Sequence, residues 1–185
     1  MSKRLIKKAK MPPYGGMPEV GGYGCATEYE IGAQRIAEAA HCILGSIAKC
    51  VNHGDDPIKN LPYEKGHILE ELGIIKNCQQ EYGRPLYNER VWRDPENEYS
   101  KMTIDSILKV SPQLSQTAIN MRQQLDSSYP KEIYQVAYKS YSVINQLAKA
   151  MEKSIETQGN AFEDTLLKAQ ISDLDKAVQS LLNLI

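Results

Sequence analysis

The sequence predicts an all-α protein, a bundle of about five or six helices behind an extended, basic, Gly/Pro-rich N-terminal arm. Three observations predict it. From residue 27 onward, apolar residues return every three or four positions in one segment after another, the spacing of a helix face. The segments carry helix punctuation, with Thr, Ser, Asn or Pro in front and Gly or Pro behind. The chain has 185 residues, 42% hydrophobic and 24% charged, which suits one packed domain and excludes wholesale disorder.

Residues 1–26 form the arm. The stretch PPYGGMPEVGGYG has neither a period nor an apolar face, so it is expected to be extended or irregular. Residues 27–185 read as a single helical domain. Two helices and an ordered loop are expected over 27–100, and an up-down helical unit over 101–185.

Thr27 and Glu30 have the spacing of a capping box that opens the first helix. Ile36, Ala40, Ile43, Leu44, Ile47 and Val51 share its buried face, and Gly54 stops it. Much of the remaining surface of this helix is small (Ala33, Ala37, Ala39, Ala48), which allows close approach on several sides. Asp55-Asp56-Pro57 is a turn, and Pro62 is placed at the first position of a second helix. Ile68, Leu69, Leu72, Ile75 and Tyr82 form the face of that helix, and Gly83-Arg84-Pro85 ends it. Residues 86–100 lack a period and read as an ordered loop anchored by Trp92.

A short helix is expected over 103–110. Ser111-Pro112 then has the form of an N-cap and first position for a new helix striped by Leu114, Ala118, Met121 and Leu125. Asp126-Ser127-Ser128 breaks it. Pro130 opens a long helix to about residue 158, with Ile133, Val136, Ala137, Ile144, Leu147, Met151 and Ile155 inward. Tyr134, Tyr138 and Tyr141 make a second stripe on it. Gly159 ends this helix, and Asn160 with Glu163 caps the next. The last helix carries Leu167, Ile171, Leu174, Val178, Leu181 and Ile185 in alternating steps of four and three, a heptad seam that must be covered within or between chains.

Charge divides the chain unevenly. Lys3, Arg4, Lys7, Lys8 and Lys10 against Glu19 give the arm +4, so the remainder carries −5 of a net −1. A cationic arm on an acidic body suits an acidic partner. No apolar run is long enough to span a membrane, and MSKRLIKKAKM lacks the apolar region of a secretory leader. The four cysteines form no C-x-x-C pair and are expected to be reduced thiols in an intracellular setting, with Cys42 and Cys50 acting as small core residues. The expected location is therefore the cytoplasm of a host cell or a virion.

Signs of catalysis are sparse. There is no G-x-S-x-G elbow and no phosphate-binding G-K-[ST] loop. Cys50, His53 and Cys78 lack the paired spacing of a zinc site. Two Glu-x-x-His steps stand out, Glu38 with His41 and Glu64 with His67. Residues three apart share a helix face and can grip one ion. These four residues resemble the motif of ferritin-like di-metal bundles, which implies a metal-binding helical bundle as the alternative function. The 112–126 helix has no Glu or Asp inside its face to complete such a site.

The leading expectation is a non-enzymatic structural component of a large assembly, of the virion adaptor, connector or internal type, with no cofactor. Its contacts with other protein subunits, homo-oligomeric ones included, fall to Lys3, Arg4, Lys7, Lys8, Lys10, Tyr14 and Tyr23 of the arm and to Leu174, Val178, Leu181 and Ile185 of the last helix. Eleven tyrosines against one Phe and one Trp fit half-buried interfaces, where the ring packs and the hydroxyl stays wet. A third reading uses the same five cations on nucleic acid, as an accessory protein of a ribonucleoprotein particle.

Overall fold

The computed structural model describes residues 23–53, 56–83, 92 and 98–185. They form five α-helices and one 3-10 turn, with no strand among them. The helices are α1 (Tyr23–Asn52), α2 (Pro57–Tyr82), α3 (Glu98–Gln124), α4 (Lys131–Thr157) and α5 (Thr165–Leu182). The 3-10 turn, Ala161–Glu163, joins α4 to α5. No helix among the described residues is long and apolar enough to cross a membrane.

α1 is the central element and packs against α2, α3 and α4. Its buried residues include Ile36, Ala37, Ala39, Ala40, Ile43, Leu44, Ile47 and Cys50, which occupy far more than one stripe. The alanines let three neighbours approach while the isoleucines fill the spaces between them. α3 and α4 pack against each other, and α5 lies along α4 and also touches α2. Salt bridges fasten the outside of α5, Lys139 to Asp173 at 2.9 Å and Lys76 to Asp175 at 2.7 Å.

An aromatic knot closes one end. Phe162, the only Phe in the chain, is fully buried in the 3-10 turn. Its ring meets Tyr29 of α1 edge-on at 5.0 Å and Tyr82 of α2 at 5.5 Å. Tyr82 lies so close over Gly32 that a β-carbon there would stand 2.5 Å from the ring. Polar bonds pin the same turn. Gln79 donates to the Phe162 carbonyl at 3.0 Å, Asn160 donates to the Tyr82 carbonyl at 2.8 Å, and the Trp92 indole donates to the Gly159 carbonyl at 3.0 Å. Trp92 is thus the packing anchor expected of it.

Several boundaries differ from the sequence expectations. α1 starts at Tyr23, so residues 23–26 belong to the helix and Thr27 is internal to it; residues 1–22 of the arm lie outside the described residues. α2 starts at Pro57 under an Asp56 cap, whose carboxylate accepts from the Ile58 amide at 3.0 Å. Pro62 therefore sits inside α2, on an exposed position where its missing N–H removes one bond of the ladder. α3 is one continuous helix through Pro112. The Ser111 hydroxyl does not cap; it donates to Glu152 of α4 at 2.7 Å. At the next junction Gln158, not Gly159, takes the positive φ of 51°. Asn160 caps the 3-10 turn, and Asp164 caps α5 by accepting from the Leu167 amide at 2.9 Å. Glu163 is instead paired with Lys168 at 2.6 Å.

Removing the Phe162 ring leaves a cavity between three elements, so Phe162→Ala is expected to cost about 3–5 kcal/mol in urea unfolding followed by helical circular dichroism. Gly66 faces open space, and Gly66→Ala is expected to have the opposite sign, a gain of up to ~1 kcal/mol.

Candidate functional site

Of the residues expected at an interface, Lys3, Arg4, Lys7, Lys8, Lys10 and Tyr14 lie outside the described residues, and Tyr23 opens α1. Leu174, Val178 and Leu181 are 0% exposed within the single chain, covered because α5 packs on α4 and α2. The heptad seam is therefore used internally, and these three residues offer no surface to a partner. Ile185, at the far end of the seam, is 47% exposed, and Leu184 beside it is exposed to the same extent.

The ferritin-like grouping does not form. Lys49 of α1 holds Glu64 at 3.4 Å, which places Glu64 opposite a point eight residues beyond His41, about 12 Å along the helix. The acid near Glu38 is instead Glu71, seven residues further along α2. Among the described residues no three His, Cys, Asp or Glu side chains gather as a metal-binding group. Cys50 lies beside Asn60, and Cys78 is eighteen residues further along α2, about 27 Å away by helical rise. Cys42, Cys50 and Cys78 are buried free thiols. Burial pushes Cys42 and Cys50 up to about 11 and also raises Cys78, so all three stay protonated and unreactive at neutral pH.

Two surface features emerge. The first is a groove of about 430 Å³ between α1 and α3, lined by apolar Ala37, Val110 and Leu114 and edged by Gln34, Glu38 and His41 on one side and Gln113, Thr117 and Asn120 on the other. Its polar edge combines carboxamides, able both to donate and to accept, with a carboxylate, an imidazole and a hydroxyl. Thr117 is turned back on its own helix, donating to the Gln113 carbonyl at 2.9 Å. Glu38 is the group under tension. Its Oε2 is buried without a hydrogen-bond partner. Burial raises its pKa, the buried Glu71 raises it further, and Arg35 partly offsets both. The sequence marked Glu38 and His41 by their spacing; their true setting depends on α3.

The second feature is an apolar and aromatic face over α3 and α4. Leu108 is 59% exposed and Ile119 50%, with Pro112 exposed between them. On α4, Tyr134, Tyr138 and Tyr141 stand half-buried in a row, successive rings 6.0 Å apart. Glu152, which reaches Ser111 of α3, continues their three-and-four spacing, so the tyrosines flank the seam between the two helices. Leu108 and Ile119 are eleven residues apart, three full turns, and so share a face. Ending a helix at residue 110 hides that relation, which is why sequence reasoning missed them.

No known family model, curated protein or solved structure matches this chain.

The folded chain binds the Glu38 proton more tightly than the unfolded chain does, so stability falls as pH rises from the ordinary carboxylate range through the raised value. Glu38→Gln removes that loss. Its melting temperature is expected to exceed that of the unsubstituted chain at pH 7, and the gap is expected to close as pH drops below the ordinary carboxylate range. A gap that persists unchanged in acid contradicts a cause in ionisation.

Proposed function

We propose that this chain is a non-enzymatic building block of a macromolecular assembly, binding neighbouring protein subunits. The observation that carries this reading is the uncovered face of Leu108, Pro112 and Ile119 beside the row of Tyr134, Tyr138 and Tyr141. Isolated exposed apolar residues are ordinary on any protein. Aligned ones bordered by tyrosines have the composition of an interface, with an apolar centre and amphipathic rings at a wet edge. Exposed Leu184 and Ile185 and the charge division between residues 1–26 and the body support the same reading. We read the assembly as a virion or comparable particle, from the arrangement of a basic arm ahead of a helical body; that arrangement is an analogy of layout.

The test is size fractionation of extract from the cells that naturally make the chain, with and without nuclease. The expected result is migration in a complex well above twice 20.8 kDa that survives nuclease and weakens with Ile119→Glu. Migration at the mass of the chain alone overturns the proposal. Collapse of the complex under nuclease also overturns it, in favour of nucleic-acid binding through the arm.

A further inference from the structure

We propose that α3 pairs with α3 of a second copy of this chain, antiparallel across a two-fold axis beside residues 113 and 114. This rests on the assembly reading above and names its nearest partner.

At 100° per residue, positions 105, 108, 112, 115, 119 and 122 of α3 fall within one arc of about 100°, the width of a packing stripe. That stripe holds Asp105, Leu108, Pro112, Ser115, Ile119 and Arg122, with Ser115 half-buried and the others exposed. The order is self-complementary when the stripe is turned end to end. In the register where Leu108 meets Ile119 of the second copy, Pro112 meets Ser115 and Asp105 meets Arg122. Each contact occurs twice, as a two-fold interface requires. Apolar side chains then meet at the centre and opposite charges at both ends.

Other arrangements lose this match. Sliding the second helix one turn one way sets Asp105 against Ile119, and one turn the other way sets Arg122 against Leu108. Each leaves a charge on an apolar residue, which costs desolvation without a partner. Parallel pairing brings Asp105 onto Asp105 and Arg122 onto Arg122, like charge against like. Asp105 and Arg122 form no salt bridge with any other described residue, so both charges are available. Tyr134, Tyr138 and Tyr141 flank the same seam, where a helix laid on α3 also borders α4.

The experiment is the mass of the purified full chain by light scattering across a dilution series, with circular dichroism on each variant to verify helicity. The unsubstituted chain is expected at twice 20.8 kDa at tens of micromolar. Asp105→Arg and Arg122→Asp each place like charges together twice and are expected to weaken the dimer at least about tenfold. The double variant restores opposite pairs and is expected to recover the affinity to within a few-fold. Ile119→Glu, at an exposed site, is expected to give a helical monomer. A purified chain that stays monomeric overturns the α3 pairing alone, since the assembly reading is decided by the extract. A dimer indifferent to both charge reversals, or a double variant no better than the singles, also overturns it.

Discussion

The structure depends on one constraint, that α1 has to be buried on several sides at once. A helix with a single apolar stripe can lie on a surface. α1 cannot, because Ala33, Ile36, Ala37, Ala39, Ala40, Ile43, Leu44, Ile47 and Cys50 are all buried, spread over much of its circumference. Burying an Ile or Leu side chain contributes roughly 1.5–3 kcal/mol, and those contributions are realised only when neighbours reach every face. The alanines make that possible by letting α2, α3 and α4 approach. α1 therefore sets the layout, and the other helices are arranged by which of its faces they cover.

Once α1 is enclosed, the remaining apolar surface has to be closed at its end and its back. Phe162 does the first, wedged between Tyr29 and Tyr82 while Gln79, Asn160 and Trp92 hold the backbone around it. Gly32 is needed there because the Tyr82 ring occupies the place of a side chain. α5 does the second, laying Leu167, Ile171, Leu174, Val178 and Leu181 against the bundle. What stays uncovered after both closures includes the outer side of α3 and the tyrosine row of α4, the last residues of the chain, and the single side chains Tyr63 and Leu69 of α2 and Leu166 of α5. The functional reading follows from that remainder.

The sequence made the helical class legible because the three-and-four spacing is strong in every segment. It made the α4 span and the burial of its face legible for the same reason. It misled at prolines. Pro62 and Pro112 both look like helix starts, yet each stands inside a helix with its ring at an exposed position, so the lost bond is offset by continuous packing on the opposite face. Thr27 carries good cap chemistry, but α1 already runs from Tyr23; Asn160 does cap, but the 3-10 turn, while Asp164 reaches the first turn of α5. The seam of α5 was plain in sequence, but no local signal tells whether its cover comes from the same chain. The setting of Glu38 was hidden as well, since Gln113, Thr117 and Asn120 reach it only through the tertiary packing of α3 on α1.

The claim that α1 organises the fold is tested most directly by native-state hydrogen exchange. The account predicts that the slowest amides lie in α1 between about Ala33 and Ile47 and open only with global unfolding, because no sub-global opening can expose a helix covered by three others. If those amides exchange through an opening clearly smaller than the global unfolding free energy, while α3 and α4 stay protected, the core is organised elsewhere and the account is contradicted.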